Sequence, residues 1–300
     1  MTLMVALMLN EILRVAIIQN SLDPEAAWKD FPSGNWKDAV QMSAVEEAQA
    51  MREIRYYMSG LHVDRNEIDV VLLPELSVPV GFENRLKKIA EQLQTIIIAG
   101  FDYRIVPGAT VPTVSNDALV IVPRKLNGKK ILKATATKRV GKTHPAPAEK
   151  RKLEKIASAG PNGVMFQPHP TVWIFDSVEF GKFGVAVCYD FLDLDRMAMY
   201  RTKIQTLFIL ALNKDTNSFD HIAEAAARMV FCNVIVCNCG HFGGSFAVAP
   251  FKKAFERTLY RNMGARLANA QIVALPLLDI ESAQNGKITN KEFKSLPPGY

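Results

Sequence analysis

The stretch FGKFGVAVCYDF, running from Phe180 to Phe191, decides how the rest of the chain is read. Its residues 183–187 form a short apolar run rich in β-formers, the pattern of a strand buried on both faces. The run leads directly into a thiol, Cys188, and an acid, Asp190. An earlier run at 69–73 (DVVLL) stops in the same way on Pro74-Glu75. In open α/β sheets, sites form beyond the carboxyl ends of strands. Two apolar strands that end on reactive side chains therefore make Cys188 and Glu75 candidate functional residues.

Outward from these two runs, strands and helices alternate. Strands are expected at 13–19, 69–73, 95–99, 117–122, 130–134, 171–175, 183–187, 206–212, 234–237, 246–249 and 272–278. Within 38–58, the apolar residues Val40, Ala44, Ala48, Met51, Ile54 and Met58 recur at steps of three and four, which predicts an amphipathic helix. A second helix is expected over 83–93 and a third over 219–231. Asn127-Gly128 between two β-rich runs is a hairpin signal. The stretch 138–163 reads as a long, basic, proline-containing loop. So many strands exceed one comfortable sheet, which predicts two stacked sheets with outer helices. The organisation expected is one domain at 13–281, an N-terminal extension at 1–12 and a polar C-terminal tail at 282–300, read as a surface arm.

Composition narrows the class. The 300 residues are 49% hydrophobic and 22% charged, ordinary for a globular chain and contrary to disorder. The formal net charge is +6, but lysines and arginines are scattered. The densest run, Lys150-Arg151-Lys152-Leu153-Glu154-Lys155, is diluted by acids and reads as a solvated basic face. No apolar window approaches a membrane span, which excludes a membrane-embedded acyltransferase. Cys232, Cys237 and Cys239 crowd into one apolar stretch, which is no disulfide framework, so a reducing cytoplasm is the expected location. Their spacing, with His241, matches no structural zinc pattern, and ordinary core packing is expected of them rather than a metal.

A carboxylate, an amine and a thiol gathered at strand ends would make a workable acyl-transfer set. A free thiol with a pKa of about 8.5 is only slightly ionised at neutral pH. A carboxylate can take its proton during attack, and an ammonium with a backbone N–H can hold the developing oxyanion. Lys142, in the loop after the hairpin, is the amine, with Lys138 a weaker candidate.

The motifs that carry these residues resemble, in order, those of the nitrilase or carbon–nitrogen hydrolase superfamily. LRVAIIQN (13–20) is similar to its first strand and VVLLPEL (70–76) to its glutamate motif. SNDALVIVPRKLNGKKILKATATKRVGKTH (115–144) resembles its hairpin and lysine motif, and FGKFGVAVCYDF its cysteine motif. NVIVCNCG (233–240) and GGSFAVAP (243–250) resemble later strands. The resemblance implies an α-β-β-α sandwich, α/β in class, paired into homodimers or larger oligomers. It implies a Glu75, Lys142 and Cys188 triad that cleaves a small amide, nitrile or N-carbamoyl compound through a thioester. It also implies that Glu149 orients substrate and lysine, and that no metal or organic cofactor is needed.

The chain departs from the family pattern after Cys-Tyr-Asp, where an Arg-Phe-Pro-Glu continuation is common. Here Phe191-Leu192-Asp193-Leu194-Asp195-Arg196 follows. Tyr189, Asp190 and, after the strand TLFILAL, Asn213 are expected to line a polar substrate pocket. A reading from another class is a recognition or effector module of a larger assembly, possible beside nucleic acid as in prokaryotic reverse-transcriptase defence systems. The basic balance suits it.

Overall fold

The computed structural model describes residues 9–29, 34–63, 68–286 and 292–300. Most of the expected extension, part of the first loop and part of the tail lie outside these residues.

Two six-stranded mixed sheets form the centre. The first runs, in spatial order, Asn269–Pro276, Ile12–Gln19, Val70–Val78, Ile96–Phe101, Asp117–Val122 and Ala136–Gly141. The second runs Ile174–Ser177, Gly181–Val187, Thr206–Ala211, Asn233–Asn238, Ser245–Val248 and Thr258–Asn262. In each, three neighbouring strands are parallel and the flanking ones antiparallel. Side chains alternate across a strand, so successive residues serve different cores. Val15, Ile17, Val70 and Leu72 face inward and pack against Val185, Val187, Ile209 and Val236 of the second sheet. Ala16, Ile18, Val71 and Leu73 face outward onto Ile54 and Met58 of the helix Ala44–Val63 and Leu86 and Ile89 of the helix Glu83–Leu93. The far face of the second sheet is covered by the helices Leu194–Tyr200 and Thr216–Ala226. The layers are therefore α-β-β-α, as expected.

Several local expectations are corrected. The helix expected over 38–58 is two helices, Trp36–Val40 and Ala44–Val63. The chain leaves the helical path between them because Met42 N–H donates to Asp102 (2.6 Å) and Ser43 N–H to the Ala27 carbonyl (2.7 Å). Asn127-Gly128 does make a hairpin, but its strands are two residues each, Lys125–Leu126 and Lys129–Lys130. The real partner of Asp117–Val122 is Ala136–Gly141, an edge strand exposed over most of its length and so without an apolar signature. The loop expected from 138 onward thus begins with that strand and also contains the helix Pro147–Glu154. The tail is no free arm. Phe293 is buried, stacks on Phe251 (4.5 Å between centroids) and meets Phe231, as does Tyr300. The Pro297-Pro298-Gly299 turn, held by Arg201 on the Pro298 carbonyl, brings Tyr300 back onto the body.

Candidate active site

Glu75 lies inside the strand Val70–Val78, where the register to Ile96–Phe101 shifts between Leu73 and Val78. Such a bulge re-aims a side chain. Leu76 takes a φ of +52°, and Ser77 Oγ donates to the Pro74 carbonyl (2.7 Å), which closes the irregular turn. Gly100 makes room for it. A Cβ on Gly100 would stand 2.3 Å from Pro74 O and 2.5 Å from Glu75 Cα. Lys142 follows the edge strand Ala136–Gly141, its N–H donating to Asn116 O (2.8 Å) and its carbonyl accepting from His169 N (3.1 Å). Cys188 follows the strand Gly181–Val187 with a φ of +46° and opens a short 3-10 turn. A non-glycine residue in that region carries strain, which marks functional positions when the surroundings enforce it.

These three residues, from separate parts of the chain, meet in one enclosed cluster. Lys142 Nζ stands 2.7 Å from Glu75 Oε1 and 2.6 Å from Glu149 Oε2. Asn116 Nδ2 bridges the two carboxylates, donating to Glu75 Oε1 (2.8 Å) and Glu149 Oε1 (3.1 Å). Leu212 N–H donates to Glu75 Oε2 (2.9 Å), and Tyr103 O–H to Glu149 Oε1 (2.9 Å). Glu149 sits in the first turn of Pro147–Glu154 and also accepts from Ala146 N (3.0 Å). Cys188 is 7% exposed, so only a small molecule could reach its sulfur without movement.

The electrostatics follow from this packing. Burial pushes the Cys188 thiol well above its ordinary value, and the Glu75 carboxylate beside it adds to the rise, while the Lys142 ammonium opposes it. Burial alone would lower the Lys142 pKa, but Glu75, Glu149 and Cys188 outweigh it and keep the ammonium charged. Burial pushes Glu149 up, but Lys142 and the donors Asn116 and Tyr103 hold its carboxyl below the ordinary range. Tyr103 is pushed well above its ordinary value by burial and the neighbouring carboxylates, so its hydroxyl remains a donor. The thiol therefore rests protonated beside a carboxylate that can take its proton, with a fixed ammonium opposite.

Not every expected residue joins the cluster. The Asp190 carboxylate is fully buried and faces the backbone after Lys142: its oxygens accept from Thr143 N and His144 N, both at 2.8 Å. Asn213 folds onto its own turn, with Oδ1 accepting from Asp215 N (3.0 Å) and Nδ2 donating to Asp215 O (2.8 Å). Tyr189 instead lines a cavity of about 430 Å³ with Thr143, His144, Leu153 and Phe166. Lys138 Nζ lies 3.4 Å from the centroid of the Trp173 ring, away from the cluster. Asn116 and Tyr103 were not anticipated. Their only sequence signal is position, just before one strand and just after another.

No protein-family model matches the sequence, and no curated protein matches it. Solved structures do. The Nit3 protein of Saccharomyces cerevisiae, described as a member of branch 10 of the nitrilase superfamily, aligns at 15% identity with a TM-score of 0.59, over 94% of this chain and 97% of that one. A carbon–nitrogen hydrolase of Helicobacter pylori G27 aligns at 14% identity and a TM-score of 0.59, over 93% and 94%. A mutant amidase of Nesterenkonia sp. AN1, with the acetamide moiety of fluoroacetamide added covalently at its active-site cysteine, aligns at 14% and 0.56, over 92% and 94%. At such identities the likeness is one of fold, and the fold of this chain is that of the nitrilase superfamily.

Proposed function

We propose that the chain is a cysteine-dependent hydrolase of non-peptide carbon–nitrogen bonds in small amides, nitriles or N-carbamoyl compounds. The observation that carries this reading is the enclosed meeting of Glu75, Lys142 and Cys188, with Lys142 gripped by two carboxylates and the thiol on a strained turn. In this reading Glu75 takes the thiol proton as the sulfur attacks the carbonyl or nitrile carbon. Lys142 and the N–H following Cys188 hold the negative charge that develops on oxygen or nitrogen. From an amide or N-carbamoyl carbon the amine or ammonia leaves with a proton returned by Glu75; from a nitrile, one water first adds to the thioimidate, and ammonia then leaves to give the same thioester. Glu75 then activates the water that opens the thioester, and the acid is released. Glu149, Asn116 and Tyr103 keep Lys142 oriented. The neighbouring amidase, with its covalently modified cysteine, supports the reading by analogy of fold.

The test is intact-mass measurement after incubation with a panel of such compounds. A mass gain that maps to Cys188 and is absent from Cys188→Ala is expected, with ammonia or amine released. Turnover that survives in Cys188→Ala would refute the reading. A nucleic-acid module gains little support from the basic run: Lys150 faces Glu154 (3.9 Å), and Lys152 packs over the Trp28 ring (5.2 Å).

A further inference from the structure

Asp190 and Arg196 form a buried charged pair that touches none of the three triad side chains. Asp190 lies two residues after Cys188 and is 0% exposed; Arg196 is 2% exposed. Asp190 Oδ2 accepts from Thr143 N and Oδ1 from His144 N, both at 2.8 Å, so one carboxylate holds the two peptide N–H groups directly after Lys142. Arg196 Nη2 stands 3.2 Å from Asp190 Oδ2 and donates to Thr143 Oγ1 at 2.6 Å. Thr143 Oγ1 donates in turn to the His169 carbonyl (2.6 Å), and His169 N–H donates to the Lys142 carbonyl (3.1 Å). The segment carrying Lys142 is thus fastened to the turn carrying Cys188 by charge-assisted hydrogen bonds from Asp190 and Arg196, with neutral ones through Thr143 and His169 beside them.

The residues that depart from the family pattern after Cys-Tyr-Asp deliver this guanidinium. Asp193 caps the helix Leu194–Tyr200, accepting from Asp195 N (3.0 Å) and Arg196 N (3.2 Å). The same helix is locked to the nucleophile strand, because Tyr200 O–H donates to Val185 O (3.0 Å) and a Cβ on Gly184 would stand 2.5 Å from the Tyr200 ring. Nucleophile strand, nucleophile turn, helix and lysine segment are therefore joined by hydrogen bonds and close packing. A buried ion pair is a poor source of net stability, since desolvation offsets its attraction. Its better account is geometry. An error of about 1 Å in a reacting group can cost about a hundredfold in rate.

We propose that Asp190 and Arg196 are positioning residues, which set where the Lys142 ammonium stands relative to the Cys188 sulfur. The proposal rests on the activated-thiol reading above. It is tested by alkylating the intact chain with iodoacetamide across pH and counting label on each cysteine by peptide mass. Cys232, Cys237 and Cys239 are fully buried and report whether the fold holds. In the unsubstituted chain Cys188 is expected to label ahead of these three. In Asp190→Asn the three stay protected, while Cys188 labels about tenfold more slowly and its pH midpoint rises by about one unit, the effect of an ammonium no longer held beside the sulfur. Arg196→Met should behave likewise, and Arg196→Lys should recover part of the rate.

A native rate and midpoint in Asp190→Asn, with the three cysteines protected, would overturn the proposal alone. Absence of any preference for Cys188 in the unsubstituted chain would overturn the activated-thiol reading, and the proposal with it. If Asp190→Asn labels at all four cysteines, the fold has opened and the Arg196 pair decides. A native rate and midpoint in Arg196→Met then overturns the proposal, and slowing with partial recovery in Arg196→Lys sustains it.

Discussion

Lys142 Nζ lies 2.7 Å from Glu75 Oε1 with both side chains closed off from water, at 1% and 2% exposure. A second carboxylate, Glu149, holds the same ammonium from the other side at 2.6 Å. Two acids share one cation, and a neutral thiol completes the group. The ammonium, held from both sides, is what makes the burial of the two acids tolerable.

Removing that ammonium tests the balance. Lys142→Met leaves two buried carboxylates bridged only by Asn116, and a loss of about 3–5 kcal/mol is expected at neutral pH. The pH dependence has a definite sign. In the native chain Lys142 holds Glu149 below its ordinary 4.5, so this contribution is present above pH 4.5 and lost as pH falls through the lower, folded value. The gap in urea stability between native protein and Lys142→Met should therefore be widest near pH 7 and narrow on acidification below about pH 4.5. A gap that widened with acid would contradict this account of the cluster.

The strain at Cys188 separates function from stability. Its φ of +46° costs an L-residue roughly 1–2 kcal/mol, and glycine escapes that cost. Cys188→Gly should thus be about 1 kcal/mol more stable in urea than Cys188→Ala, although both lack the thiol and neither forms an adduct. Equal or lower stability of the glycine variant would mean that the turn relaxes without it.

Much of this arrangement was legible because the central strands are buried on both faces. Runs such as 69–73 and 183–187 are continuous and apolar, and the reactive residues stand where the runs end. The strand Ala136–Gly141 was illegible for the opposite reason, since an exposed edge admits Thr137, Lys138 and Arg139. Asn116 and Tyr103 gave no pattern, because a polar residue in a connection is ordinary until the fold shows what faces it. Arg196 stood in the run that departs from the family pattern after Cys-Tyr-Asp, and nothing in that run distinguished it as an almost wholly buried partner of Asp190.

Gly100 offers a test of the frame around Glu75. A Cβ there meets the backbone at 2.3 Å from Pro74 O and 2.5 Å from Glu75 Cα, and backbone cannot swing aside as a side-chain tip can. Gly100→Ala should cost about 3 kcal/mol through overpacking and displace Glu75, so that Cys188 alkylation slows in whatever fraction remains folded. Native stability together with a native alkylation rate would show that the two strands can part without disturbing the site.

Asp102 gives the last prediction, at the end of the strand beside Glu75's own. Its carboxyl is pushed up from 3.8 to about 7 by burial, against N–H donors from Met42, Trp28 and Tyr103, and Glu47 adds to the rise. A carboxyl raised on folding binds its proton more tightly in the folded state than in the unfolded one. Stability from this group is therefore intact at acid pH and declines as pH climbs from about 4 through about 7. The span is about three pKa units, or about 4 kcal/mol at full effect. Because the carboxyl ties Trp28 and the Met42 break to the strand end, the decline should appear as loosening around Trp28 and Met42. Asp102→Asn cannot ionise, and its amide meets the same three donors at every pH, so any cost of that mismatch is constant. The informative quantity is thus the slope: between pH 5 and pH 8 the urea stability of the native chain should fall relative to Asp102→Asn. A difference that stayed flat across this range would mean that the three donors keep the carboxylate ionised throughout.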